Sequence, residues 1–314
     1  MFPYRPKACD SIAELVGNTP MVLLKNIGKE LAGVQLLAKL EYFNPGGSVK
    51  DRPALEIVLD AQRSGALTKG KTLIDATSGN TGIAYSWIGA ALGFPVALVV
   101  PQNVSIARKQ ISVAYGATLI YSDPMEGSDG AIRHVRQLVA QQPDRFFYAD
   151  QYSNDSNPKA HELTTGKEIW EQTRGTVTHL VCGIGTGGTI MGTGRKLKAY
   201  RPSLQVIAVE PLEALHGLEG LKHMPSSIIP KIYKEEELDG KLSISTEEGW
   251  AMAHRLLREE GLLLGHSSGA ALAGALRVGR QLAERREPGV VVTIFPDRGE
   301  RYFEAPRWER RYER

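Results

Sequence analysis

The feature that most constrains the fold is a long alternation of short apolar runs with amphipathic ones. Runs of mainly Val, Ile, Leu, Ala and aromatic residues occupy 34–41, 72–76, 96–100, 117–121, 146–148, 179–182, 205–209 and 290–295. Helix-period patterns stand between them, among them 54–61, 83–92, 128–140 and 247–260. A continuous apolar run is buried on both faces, and strands of that kind belong to parallel sheets whose crossovers are helices. The pattern predicts an α/β chain of mostly parallel sheets in three layers. At 314 residues a single core stops growing, so the length predicts about two domains. The polar stretch 153–158 predicts their boundary, with one unit over 44–153 and a second over 20–43 plus 154–314. A site is expected in the cleft between them.

Composition excludes several classes. With 38 basic residues against 35 acidic, a net charge of +3 is too balanced for a nucleic-acid partner. No apolar run reaches membrane-spanning length, and Met1-Phe2-Pro3-Tyr4-Arg5 has no apolar signal core, which predicts a cytoplasmic protein without a membrane partner. The basic and aromatic tail 307–314 reads as a solvated end. Cys9 and Cys182 are far apart and outside any CxxC, so neither a disulfide framework nor a zinc site is expected. Cys182 ends an apolar run and reads as a small core residue. His161, His179 and His254 read as packing or surface residues.

Three motifs carry the chemistry. The first is Asn44-Pro45-Gly46-Gly47-Ser48-Val49-Lys50-Asp51-Arg52, between a strand-like and a helix-like run. Ser48 and Asp51 have the spacing of a capping box, which predicts a helix start here. A cation is disfavoured at that end of a helix, and a solvated face is the ordinary place for a lysine. The same field suits a lysine whose work needs a neutral amine, or one joined as an imine to an anionic cofactor.

The second motif, Thr77-Ser78-Gly79-Asn80-Thr81-Gly82, lies at a strand-to-helix junction. It reads either as a hydroxyl-rich N-cap or as an anion loop of converging N–H groups. The third, Gly183-Ile184-Gly185-Thr186-Gly187-Gly188-Thr189, follows an apolar strand and has the glycines and hydroxyls of a phosphate cradle. Gly183, Gly185 and Gly188 also satisfy G-x-G-x-x-G, and Glu210 closes the next strand where a ribose-binding acid would stand. A nicotinamide-dependent oxidoreductase would follow from that match alone. It leaves Lys50 and the 77–81 loop without a role, and the motif lies deep in the chain. Together the three motifs specify one lysine, one carboxylate-sized anion loop and one phosphate loop.

With these motifs the chain resembles the cysteine synthase and cystathionine β-synthase family of pyridoxal 5′-phosphate enzymes, of fold type II (tryptophan synthase β-like). The resemblance runs from Gly17-Asn18-Thr19-Pro20 to Asp297-Arg298-Gly299-Glu300-Arg301-Tyr302. Asn44 to Ser48, Asp297-Arg298-Gly299 and Glu219-Gly220-Leu221-Lys222-His223-Met224-Pro225 look most like the cysteine synthase B branch. The resemblance implies that Lys50 forms the internal aldimine and, once freed, removes the substrate's Cα proton. It implies Asn80 at the cofactor's ring hydroxyl, and Gly185, Thr186, Gly187, Gly188 and Thr189 at its phosphate. Ser267, in Gly265-His266-Ser267-Ser268-Gly269, would face the pyridine nitrogen. Thr77, Ser78, Gly79, Thr81 and Gln151 would hold the substrate carboxylate. A homodimer is implied as well.

The reaction so implied is formation of L-cysteine from O-acetylserine or O-phosphoserine and a sulfur nucleophile, sulfide or thiosulfate, through an α-aminoacrylate. A hydroxyl at the ring nitrogen limits the electron sink and favours β-elimination over racemisation. Lys222 and His223 stand where cysteine synthase B enzymes carry arginines near the leaving group, and would favour a phosphate there. The alternative is cystathionine β-synthase, joining serine and homocysteine, which shares Gly-Gly-Ser-Val-Lys-Asp-Arg. The chain ends soon after the second unit, which predicts no regulatory extension, and its start shows no cysteine–histidine haem ligands. A catalytically silent family member is opposed by the joint presence of Lys50, Asn80, the 185–189 loop and Ser267.

Overall fold

The computed structural model describes residues 8–77 and 79–303; Ser78 and the tail 307–314 lie outside them. The strands are β1 (Met21–Leu23), β2 (Val34–Leu40), β3 (Thr72–Ala76), β4 (Val96–Pro101) and β5 (Thr118–Ser122). They continue with β6 (Phe146–Tyr148), β7 (His179–Gly183), β8 (Gln205–Pro211), β9 (Gly240–Ile244) and β10 (Gly289–Phe295). The helices are α1 (Asp51–Arg63), α2 (Asn80–Leu92), α3 (Ile106–Ala114), α4 (Gly127–Gln141) and α5 (Ser156–Leu163). After them come α6 (Thr165–Gln172), α7 (Gly188–Tyr200), α8 (Thr246–Glu260) and α9 (His266–Glu284).

Two sheets organise the chain, in the orders β1-β2-β10-β7-β8-β9 and β5-β4-β3-β6. Every strand pair is parallel except β1 with β2. β10 shows why the apolar runs read as they did. Its Val291 packs among Leu36, Val181 and residues of α9, while the next residue, Val292, joins Leu180, Val206 and residues of α7 on the other face. The smaller sheet repeats this: Leu73 faces Ile57 and Ile88 of α1 and α2, and Ile74 faces Ile132 and Val135 of α4. Both sheets are therefore covered on both faces, giving the expected three-layer fold type II architecture. No helix among the described residues is long and apolar enough to cross a membrane.

The segment 153–158 holds the two sheets together rather than hanging between them. Asn154 Nδ2 donates to the Ala149 carbonyl at 2.9 Å, and Asn157 Nδ2 donates to the Gln151 carbonyl at 2.8 Å. α5, which this stretch begins, packs on both α1 and α7.

The start of α1 corrects one expectation. Ser48 and Asp51 do not form a capping box. The turn through Gly47, at φ +77°, delays the helix so that Lys50 occupies the cap position. Asp51 instead takes the Gly46 N–H on Oδ2 at 2.5 Å and Trp87 Nε1 on Oδ1 at 3.1 Å. Ser48 Oγ accepts from Lys50 N at 3.3 Å.

Candidate active site

Lys50 enters the gap between the sheets on a short segment tied to the larger one. Val49 N donates to the Pro296 carbonyl at 2.9 Å, and Ser48 forms an isolated bridge with Asp297. The Lys50 amine makes no hydrogen bond among the described residues. Burial lowers its pKa from the ordinary lysine value, with Cys182 and Asp297 partly opposing the shift. An amine that more readily loses its proton is the form a nucleophile or base requires.

Around Lys50 lies an open cleft, ≈ 530 Å³ with the solvent at its mouth included, lined by Asn80, Cys182, Gly185, Thr186, Gly187, Thr189, Ser267, Asp297 and Tyr302, among others. Cys182, read as a core residue, is buried but also forms part of this wall. Burial pushes its thiol up to about 12, so it is not a thiolate at neutral pH.

The 185–189 loop is built by close approach. A Cβ on Gly185 would stand 2.4 Å from the Gly220 carbonyl oxygen, and one on Gly188 would stand 1.9 Å from Asn157 Oδ1. Gly187, at φ +88°, caps α7 in the left-handed region. The first-turn N–H groups of a helix have no partner within it; here Gly188 N donates to Thr186 Oγ1 at 3.3 Å, and Gly185, Thr186, Gly187 and Thr189 line the cleft. Two residues beneath the loop were not legible as site residues. Asn157 Nδ2 donates to Thr186 Oγ1 at 3.1 Å, and His161 links Thr165 Oγ1 (2.9 Å) to Thr189 Oγ1 (3.2 Å). Burial, then Arg52, pushes His161 down to about 3, so it supports the loop as a neutral ring.

The 77–82 loop uses side chains instead. Thr77 Oγ1 accepts from Gly79 N and Gly82 N, both at 3.2 Å, so its own hydroxyl proton is available to an anion. Thr81 Oγ1 donates to Gln151 Oε1 at 2.8 Å, and Gln151 Nε2 donates to the Ala76 carbonyl at 2.8 Å. Gln151 N in turn reaches the buried Asp75 Oδ2 at 3.2 Å. Thr77 and Gly79 line a smaller recess beside Arg108. Asn80, at the start of α2, lines the Lys50 cleft itself.

Ser267 lies in the first turn of α9, 3% exposed and on the cleft wall; its neighbour Ser268 is buried but does not line the cleft. Lys222 and His223 are not brought to the cleft. Lys222 Nζ pairs with Asp129 of α4 at 3.0 Å, and His223 Nδ1 meets Ser226 Oγ at 2.7 Å. Glu210 also fails to behave as a ribose-binding acid: it pairs with Lys241 at 3.4 Å and accepts from Met224 N.

The donor set suits pyridoxal 5′-phosphate. A cradle in which a Cβ would clash offers backbone N–H groups to a phosphate, and an amine without a hydrogen bond among the described residues stands on the same cleft for the aldehyde. Comparison with known proteins agrees. Residues 12–297 match the family described as pyridoxal-phosphate dependent enzyme. The chain is 54% identical over 303 residues to a cysteine synthase of Aquifex aeolicus, covering 96% of this chain and 92% of that one. It is 43% identical over 295 residues to cysteine synthase B of Pseudomonas aeruginosa, covering 94% and 96%. Its fold superposes on the crystal structure of O-acetyl serine sulfhydrylase isoform 3 from Entamoeba histolytica with a TM-score of 0.92 at 36% identity, covering 98% and 94%. The chain therefore belongs to the pyridoxal-phosphate dependent enzymes, in the cysteine synthase and cystathionine β-synthase family, with pyridoxal 5′-phosphate as its cofactor.

Proposed function

We propose that this chain makes L-cysteine by β-replacement, from an activated serine and a sulfur nucleophile. The observation that carries the reading is the Lys50 amine, without a hydrogen bond among the described residues, facing the cleft that holds the glycine cradle, in a chain 54% identical to a cysteine synthase. When bound, pyridoxal phosphate supplies the electron sink that makes the amino acid's Cα–H acidic.

The protein's own residues do the rest. Gly185, Thr186, Gly187, Gly188 and Thr189 hold the phosphate. Asn80 and Ser267 meet the ring hydroxyl and the ring nitrogen. Thr77, with Ser78 and Gly79 beside it, takes the substrate carboxylate, and Gln151 offers its second amide hydrogen while Thr81 fixes that amide. Lys50 removes the Cα proton and returns it at the end of the cycle. Arg108 pairs with Glu219 at 2.5 Å and Lys222 with Asp129. Both pairs join the smaller-sheet half to the 212–228 segment of the larger, which limits water around the reacting carbon. We read the halves as 44–153 and 20–43 plus 154–314, and the active form as a cytoplasmic homodimer, as the family resemblance implies.

O-acetylserine and O-phosphoserine are the candidate donors, sulfide and thiosulfate the candidate sulfur sources; sulfide gives L-cysteine directly, whereas thiosulfate leaves its sulfonate on the sulfur and gives S-sulfo-L-cysteine. A phosphate leaving group is read by Lys222 only if it displaces Asp129. Assaying both donors with both sulfur sources, on wild type and Lys222→Ala, tests this. Equal losses for both donors exclude phosphate reading by Lys222. Cystathionine formed from serine and homocysteine faster than cysteine from any pair would overturn the assignment in favour of cystathionine β-synthase.

A further inference from the structure

Asn80 is gripped from two sides by groups that cannot exchange roles. Arg301, on the 3₁₀ turn Gly299–Tyr302, donates to Asn80 Oδ1 and to the Gly46 carbonyl. On the other side, Asn80 Nδ2 donates to Asp297 Oδ2 at 2.6 Å. The Tyr302 hydroxyl donates to that same oxygen at 2.5 Å. A guanidinium carries donors only, and an ionised carboxylate acceptors only. The reversed amide would set N–H against N–H and oxygen against oxygen, so one orientation of Asn80 survives.

We propose that Asp297 and Arg301 are positioning residues that fix the Asn80 amide so that its nitrogen, and not its oxygen, is presented to the cofactor. This rests on the assignment of Asn80 made under Proposed function. One of the two Nδ2 hydrogens goes to Asp297; the second remains for the cleft that Asn80 lines. Such an arrangement matters because the cofactor's ring oxygen is an acceptor when ionised, and a flipped amide would repel it.

The placement of the two residues agrees with this role. Asp297 is 1% exposed, lies on the cleft wall with Lys50, and keeps Oδ1 without a partner among the described residues. It stands two residues beyond the end of β10, in the larger-sheet half, whereas Asn80 opens α2 in the smaller. The larger half thus orients a side chain of the smaller one. Tyr302 extends the network, its ring lying 5.0 Å from the Arg108 guanidinium.

The test is a titration of the apoprotein with pyridoxal 5′-phosphate, reading affinity and the visible band of the bound cofactor in wild type, Asn80→Ala, Asp297→Asn, Arg301→Gln and Arg301→Lys. Losing one hydrogen bond predicts about tenfold weaker binding for Asn80→Ala. Asp297→Asn and Arg301→Gln, whose new amides donate or accept indifferently, are expected to weaken binding roughly three- to tenfold and to shift the band. Arg301→Lys, which still only donates, is expected to return to within about twofold of wild type, and it guards against a loss due to misfolding. Wild-type affinity and band in both Asp297→Asn and Arg301→Gln, with Asn80→Ala weakened, would overturn the positioning role alone. A wild-type Asn80→Ala would overturn the assignment of Asn80 and the positioning role with it.

Discussion

Two anion loops open two helices in this molecule, and they are made in opposite ways. The 185–189 loop ahead of α7 is a backbone device. Its glycines are packed so closely that a Cβ at Gly188 would stand 1.9 Å from Asn157 Oδ1, and its support, His161, stays neutral. The 77–82 loop ahead of α2 is a side-chain device. Thr77 caps it, Thr81 and Gln151 brace each other, and a Cβ at Gly79 would meet Arg108 only at an ordinary 3.5 Å. Its support, Asp75, is a buried carboxyl pushed up to about 8 by burial, with Asp150 adding to the shift. On the roles proposed for the two loops, the contrast matches the residence of their anions. A cofactor phosphate stays through every cycle and suits a rigid cradle. A substrate carboxylate comes and goes, and suits hydroxyls and an amide that exchange partners.

The largest effect expected from this contrast is at Gly188. Gly188→Ala forces Asn157 aside, and overpacking of that kind costs about 1–3 kcal/mol. Because Asn157 also holds Thr186 and Gln151, cofactor content per chain should fall at least roughly tenfold. Full occupancy at an unchanged melting temperature would break the comparison.

Thr81→Val should act on the other loop alone. It removes the bond to Gln151 Oε1 and leaves that oxygen unpaired, so KM for the amino-acid donor should rise about tenfold. Cofactor affinity should stay put. A loss of cofactor equal to that of Gly188→Ala would show that the loops are not separable.

A smaller and sharper effect comes from pH. The folded-state pKa of Asp75 is raised above its unfolded value, so the folded chain holds the extra proton and stability falls as pH climbs towards about 8. Ionisation there also places a negative charge behind Gln151. KM for the donor should therefore rise through about pH 8, and Asp75→Asn should flatten that rise. Phosphate-loop binding rests on His161, pushed down to about 3, so cofactor affinity should show no step from this support above about pH 5. A KM–pH profile identical in wild type and Asp75→Asn would remove Asp75 from the account.

Sequence made the strongly periodic parts legible. The runs at 72–76 and 146–148 are β3 and β6 to the residue, because both set apolar side chains on the two faces of the smaller sheet, and the single buried Asp75 does not break that run. β9 stayed hidden because its first four residues alternate between half-buried and exposed along a sheet edge, and only Ile244 at its end is buried. β1, three residues long, is too short for any period. The capping box at Ser48 failed because the positive-φ turn at Gly47 moved the helix start onto Lys50, which spacing does not encode.

The site divides along the same line. Lys50, Asn80, Gly185, Gly187 and Ser267 stand in compact local motifs, and the structure gathers them on one cleft. Asn157 beneath Thr186, and Arg301 against Asn80, join residues 29 and 221 positions apart, and no local pattern marks such pairs. Lys222 was placed by resemblance near the leaving group, yet Asp129, 93 positions away, holds its ammonium.

The most direct test of the central claim is Lys50→Ala, followed by visible absorption and by cysteine formation from O-acetylserine and sulfide. Because the 185–189 cradle is untouched, the variant should still take up pyridoxal phosphate at high concentration. Its visible band should shift from that of wild type, and turnover should fall by at least about a thousandfold, as expected when a residue acting both as attachment point and as base is removed. A variant that keeps the wild-type band and wild-type turnover would contradict the account at its root.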